Sequence, residues 1–217
     1  MLKSRVLSVV AAILFACWMP SGAFGAIAGV EWNGSPSNSY TNDPFSTGFS
    51  MGYLFEVTAN VQVVGLGAFD FQENGLAISH EVGLWTSTGT LIASTTVQGG
   101  TASALQGHFR YESIAPVTLT AGRFYVVAAA KSGLNDRYAS LDVAPFEAPG
   151  ITYVEDRHLF TNALAMPTIS QGLTGGWFGG NILLADQAAV PEPASLAIWG
   201  LGALGCVIGA YRRRKAA

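Results

Sequence analysis

The chain has 217 residues, of which 50% are hydrophobic and 12% charged, with a formal net charge of −3. That length supports one core of ordinary size once terminal segments are set aside, and the acidic balance argues against nucleic acid and anionic lipid surfaces as partners. Both cysteines, Cys17 and Cys206, fall in the end segments, so the body between them has no disulfide, thiol nucleophile or cysteine metal site.

The first segment reads as an export leader. Lys3 and Arg5 form a basic start, residues 6–16 an apolar stretch, and Pro20, Ser21 and Gly22 break it ahead of small residues. Ala23-Phe24-Gly25 and Ala26-Ile27-Ala28 both fit a small-residue cleavage site, so residues 1–28 are assigned to a signal peptide cut after Gly25 or Ala28. Leu14-Phe15-Ala16-Cys17 approaches a lipobox; bulky Phe15 weakens it, and lipidation of Cys17 stays open as the alternative. The partners expected here are the Sec translocon and signal peptidase.

Residues 29–188 form the expected exported domain. Between 29 and 190 lie five cations (Arg110, Arg123, Lys131, Arg137, Arg157) and thirteen carboxylates, a balance of −8. The pattern is one of short β-branched and aromatic runs between Gly, Asn, Ser and Thr clusters. It predicts strands at 49–58, 61–71, 80–86, 90–98, 105–112, 117–119, 123–131, 137–142, 151–154 and 177–184. No window carries a capped helical stripe. Turns every 8 to 12 residues or so predict an all-β fold, an antiparallel β-sandwich of jelly-roll-like kind. Gly89 within residues 86–90 marks a hairpin loop, and 162–176 the longest surface loop.

Four stretches carry a resemblance: Val64-Gly65-Leu66-Gly67-Ala68-Phe69-Asp70, His80-Glu81-Val82-Gly83-Leu84-Trp85, Gly89-Thr90-Leu91-Ile92-Ala93-Ser94 and Ala121-Gly122-Arg123-Phe124-Tyr125-Val126-Val127. Over roughly 49–140 the chain is similar to β-sandwich domains of the DUF4082 type found in bacterial surface proteins. The resemblance implies a structural module and carries over no catalytic residue.

Candidate sites are sparse. Ser79-His80-Glu81 is contiguous on a strand, where neighbours point to opposite faces, so it makes no triad. His80, His108 and His158 match no compact metal motif. The oxygen-rich 70–75 loop (Asp-Phe-Gln-Glu-Asn-Gly), with Asn135 and Asp136, is the one place where calcium is expected if any cation binds, although it lacks EF-hand spacing. Trp85, Trp177, Phe178, Tyr111 and Tyr138 are the aromatic candidates for stacking on a sugar, with Trp85 expected in the core. Trp177, in its glycine-rich setting, and Tyr138 come first. No catalytic, cofactor or metal residue is assigned, and the protein is not expected to be an enzyme.

The last segment, 189–217, is a sorting address. Pro191-Glu192-Pro193 precedes an apolar stretch from 194 to 211, which Arg212, Arg213, Arg214 and Lys215 close. Eighteen residues in helix span about 27 Å, close to a bilayer core, and the cations favour the cytoplasmic side. The two prolines hold the approach to the membrane in extended backbone. These three parts in this order resemble the PEP-CTERM signal of Gram-negative bacteria. The resemblance implies an exosortase as partner, inner-membrane anchoring with the domain in the periplasm, then cell-surface or extracellular delivery in bacteria that make extracellular polysaccharide. The expected function is that of an exported, non-catalytic cell-surface or matrix protein. The alternatives are a carbohydrate-binding module for extracellular polysaccharide and a secreted hydrolase acting on polysaccharide or ester.

Overall fold

Alternation decides the longest strands. In 49–57 every second residue, Phe49, Met51, Tyr53, Phe55 and Val57, is large, apolar and buried, while Leu54 and Glu56 on the other face are partly exposed. The structure is a computed structural model and describes residues 25–40, 47–172 and 175–186. The strands are β1 (Ala26–Ala28), β2 (Val30–Glu31), β3 (Asn38–Tyr40), β4 (Phe49–Val57), β5 (Val61–Phe69), β6 (His80–Thr86), β7 (Leu91–Val97) and β8 (Ala104–Gln106). They continue with β9 (Phe109–Leu119), β10 (Arg123–Ser132), β11 (Tyr138–Leu141), β12 (Phe146–Glu147), β13 (Ile151–Phe160), β14 (Gly176–Phe178) and β15 (Gly180–Ala185).

Two five-stranded antiparallel sheets carry the core, in the orders β1-β15-β5-β9-β8 and β13-β4-β10-β6-β7. Val63, Leu66, Phe109 and Ile182 of the first sheet meet Phe55, Leu84, Val97 and Val127 of the second in one continuous apolar cluster. This is the all-β sandwich expected from the strand spacing. A three-stranded sheet, β14-β11-β3, covers a smaller cluster of Phe49, Met51 and Tyr138. Among the described residues no helix is long and apolar enough to cross a membrane.

β5 changes part-way along which of its residues face the core. Val63 pairs with Val117 and Gly65 with Ser113, so the register slips between them. The slip changes the inward parity from Val61 and Val63 to Leu66 and Ala68, and all four stay buried. Pro116 sits in the irregular part of β9, where a ladder N–H is not required of it. A second irregularity separates Ala129 from Ser132 in β10, where Lys131 takes a φ of 60°. On β6, a side chain at Gly83 would strike the indole of Trp85, two residues on along the same face; the ring lies flat there because the position is glycine.

Some elements differ from the expectation. The predicted strand at 105–112 is a hairpin, since Gly107 (φ 55°) turns the chain between β8 and β9. The separate strand at 117–119 is the end of β9, and 177–184 is broken at Gly179 into β14 and β15. Residues 26–28, read as leader, form β1 on the edge of the first sheet, in register with Leu183, Leu184 and Ala185.

Candidate functional site

The expected aromatic pair does come together. β11 and β14 are adjacent, with Ser140 opposite Trp177. The ring centroids of Tyr138 and Trp177 lie 5.6 Å apart, within contact range for tilted rings. Tyr138 also packs edge-on against Phe49 and beside Tyr40, each at 5.7 Å, and Phe49 meets Phe160 at 4.4 Å. These contacts correct the choice of stacking residue. Tyr138 is only 7% exposed and supports the cluster from below; the rings solvent reaches are Tyr40 (44%) and Phe160 (58%), with Trp177 half-buried beside Tyr138. Burial, with Tyr40 close by, raises the Tyr138 phenol above its ordinary value.

Polar groups border this patch. Trp177 leans on His158 at 5.3 Å, and His158 Nδ1 lies 3.9 Å from the Asp156 carboxylate. Burial raises Asp156 and lowers His158, so each is shifted toward its neutral form. Asp156 accepts from the Gln171 amide at 3.3 Å, and the Gln171 side chain reaches His158 Nε2 at 3.3 Å. Among the described residues His158 Nδ1 and the Tyr153 hydroxyl are buried without a hydrogen-bond partner. Arg137, next to Tyr138 and so on the opposite face, is turned away from the patch: it donates to the carbonyl and hydroxyl of Ser39 and lies over the Phe71 ring at 4.8 Å. An apolar aromatic surface with the exposed Gln171 side chain beside it suits a sugar, whose ring has apolar C–H faces and a hydroxyl periphery.

The oxygen-rich 70–75 loop is closed on an internal cation. Arg110 Nε donates to Asp70 Oδ2 at 2.6 Å, Nη1 to the Ser103 carbonyl at 3.0 Å, and Nη2 to the Glu73 carbonyl at 3.1 Å. Gly75 N–H donates to Asp70 as well, at 2.9 Å. The Asp70 carboxylate and the Glu73 carbonyl of this loop therefore accept from a guanidinium and, for Asp70, a backbone amide as well. Gln72 and Glu73 both take positive φ, 67° and 59°, a conformation the Arg110 and Gly75 bonds sustain. Outside the loop an open hollow of about 390 Å³ runs from Pro36 to Glu73 and His108.

Each histidine has an acidic neighbour and a structural setting. His80 bridges the β10 irregularity: Nδ1 bonds the Ala130 carbonyl at 2.8 Å and Nε2 the Asp136 carboxylate at 2.9 Å. Asp136 accepts two further bonds, from Ala77 and Ile78 N–H. Burial by itself would raise Asp136, but His80 and those two amides outweigh it and hold the carboxyl below its ordinary value. His108 bonds Glu31 and the Gly34 carbonyl and stacks on Trp32 at 4.7 Å. Among the described residues no serine hydroxyl is bonded to any of the three imidazoles, and no three His, Cys, Asp or Glu side chains converge in a metal-sized group.

The sorting residues, Pro191, Glu192, Pro193, Arg212, Arg213, Arg214 and Lys215, lie outside the described residues, as do residues 1–24 of the leader with Cys17. Tyr40, Phe49 and Phe160 were not singled out from sequence. The alternation of 49–57 marks Phe49 as inward-facing, but nothing local places Phe160 against it. A family model described as "Domain of unknown function (DUF4082)" matches residues 33–175, and one described as "PEP-CTERM protein-sorting motif" matches 189–215. No curated protein and no solved structure matches the chain.

Proposed function

Since the chain belongs to the DUF4082 family and ends in a PEP-CTERM protein-sorting motif, we propose that its sandwich is the non-catalytic body of a cell-surface or extracellular-matrix protein released by an exosortase. The motif makes it an exported protein that is anchored in the membrane and then processed, with an exosortase as the processing partner. The observation that carries the reading is one of order along the chain. The last described strand ends at Ala185, and the matched motif begins at 189, before Pro191-Glu192-Pro193. Cutting near that tripeptide removes no residue of β15.

The test replaces Pro191, Glu192 and Pro193 with alanine in the host and follows size and location by immunoblot. The wild type is expected as a shortened, released species and the variant as an uncut membrane-bound one. A variant of unchanged size and location overturns the reading.

A second reading concerns what the body does after release. The rings of Tyr40, Trp177 and Phe160 support polysaccharide contact, because they offer solvent-reached apolar faces with the exposed Gln171 nearby. Co-sedimentation with the host's extracellular polysaccharide tests it. Trp177→Ala and Tyr40→Ala are each expected to weaken retention, and retention unchanged in both variants removes this assignment.

A further inference from the structure

The edge strand β1 bears on where the chain is cut at its other end. Ala26, Ile27 and Ala28 pair with Ala185, Leu184 and Leu183, and the ladder runs past β1 on both sides. Asp186 N–H donates to the Gly25 carbonyl at 3.0 Å, and Gly29 N–H to the Ile182 carbonyl at 2.8 Å. The Gln106 side chain donates to the Ala26 carbonyl at 2.7 Å. The sheet thus engages the chain from Gly25 onward, three residues before the second of the two small-residue cleavage sites.

The two sites differ most in the amino terminus they create. Hydrolysis of the Ala28–Gly29 bond would turn Gly29 nitrogen into an ammonium. Gly29 is buried; a side chain there would strike Ile182 and the Tyr53 hydroxyl, and its nitrogen is directed at a β15 carbonyl. A charge formed there loses most of its hydration among the Ile182 side chain and the Tyr53 hydroxyl, a costly arrangement. The same cut removes β1 and leaves the N–H and C=O groups of β15 as an open sheet edge.

Hydrolysis of the Gly25–Ala26 bond has neither consequence. Ala26 is half-exposed, so its ammonium stays hydrated. Asp186 Oδ2 lies 4.0 Å from where a side chain on Gly25 would begin, so the new positive charge emerges near a carboxylate. The residues required for recognition, Ala23 and Gly25, are both small.

We propose that signal peptidase cuts between Gly25 and Ala26: water cleaves that peptide bond, the leader leaves with the Gly25 carboxylate, and the mature body begins at the Ala26 ammonium with β1 intact. Gly25 and Asp186 are hydrogen-bonded neighbours, so leader and sorting tail join the body at the same corner of the first sheet. The inference rests on the export reading given above.

The full chain is expressed in a Gram-negative host, and the amino terminus of the exported body is read by Edman sequencing or terminal-peptide mass spectrometry. The expected terminus is Ala26. Gly25→Leu, which places a bulky residue at the cut, is expected to accumulate precursor, whereas Ala28→Leu is expected to be processed like the wild type. A terminus at Gly29, a lipidated Cys17, or processing blocked by Ala28→Leu alone overturns this cleavage site and leaves export standing. A chain that keeps Met1 and remains in the cytoplasm overturns export itself.

Discussion

Arg110 and Asp70 meet at 2.6 Å inside the protein, with side chains only 5% and 1% exposed. Removing one partner leaves the other charge buried, and also abandons the Ser103 and Glu73 carbonyls that the guanidinium holds. Arg110→Met is therefore expected to cost about 3–5 kcal/mol, read as a loss of urea midpoint. The double variant Arg110→Met with Asp70→Leu should recover part of that loss. A single variant as stable as the wild type would show that the pair does not hold the loop.

Asp136 sets an acid limit. Its folded carboxyl titrates below the ordinary 3.8, so its contribution is fully present above that value and is lost as pH falls through the depressed folded one. Asp136→Asn should lower stability at neutral pH and flatten the acid end of the stability curve below about pH 4. Urea unfolding of both proteins across that window checks it, and parallel curves would count against the assignment.

The aromatic cluster separates support from contact. Tyr138→Ala is expected to destabilise by about 3 kcal/mol, because it empties a packed position between Phe49 and Trp177. Tyr40→Ala should change stability by no more than about 0.5 kcal/mol. Thermal melts of the two variants decide between these roles.

Gly83 is required by its neighbour. A branched side chain there meets the Trp85 indole, so Gly83→Val should tilt the ring out of its place and cost about 1–3 kcal/mol. A red shift in tryptophan emission together with a lower melting temperature is the expected signature. An unchanged spectrum would mean that the sheet absorbs the extra volume elsewhere.

Strands set off by clear turn residues were legible in the sequence: His80–Thr86 has the bounds the pattern predicted, and Phe49–Val57 falls one residue short of them. Pairing order was not, because β15 lies between β1 and β5 and no local signal encodes a partner more than a hundred residues away. β1 was hidden for a different reason. Ala26-Ile27-Ala28 satisfies the small-residue rule for leader cleavage as well as it satisfies an edge strand, and only its register with 183–185 separates the two. At the candidate site the sequence pointed to Tyr138 and Trp177 as rings; which ring faces solvent depended on β3 and Phe160. In the 70–75 loop the Asp70 carboxylate was visible locally, whereas the guanidinium that pairs with it lies forty residues on.

The place of β15 also sets an order in time. It is the last of the described strands to leave the ribosome, yet among the described residues β1 has no other ladder partner and β5 needs it on one side. The first sheet therefore stays open until biosynthesis has passed residue 185, and a nascent chain that cannot close early can still be threaded through a narrow channel.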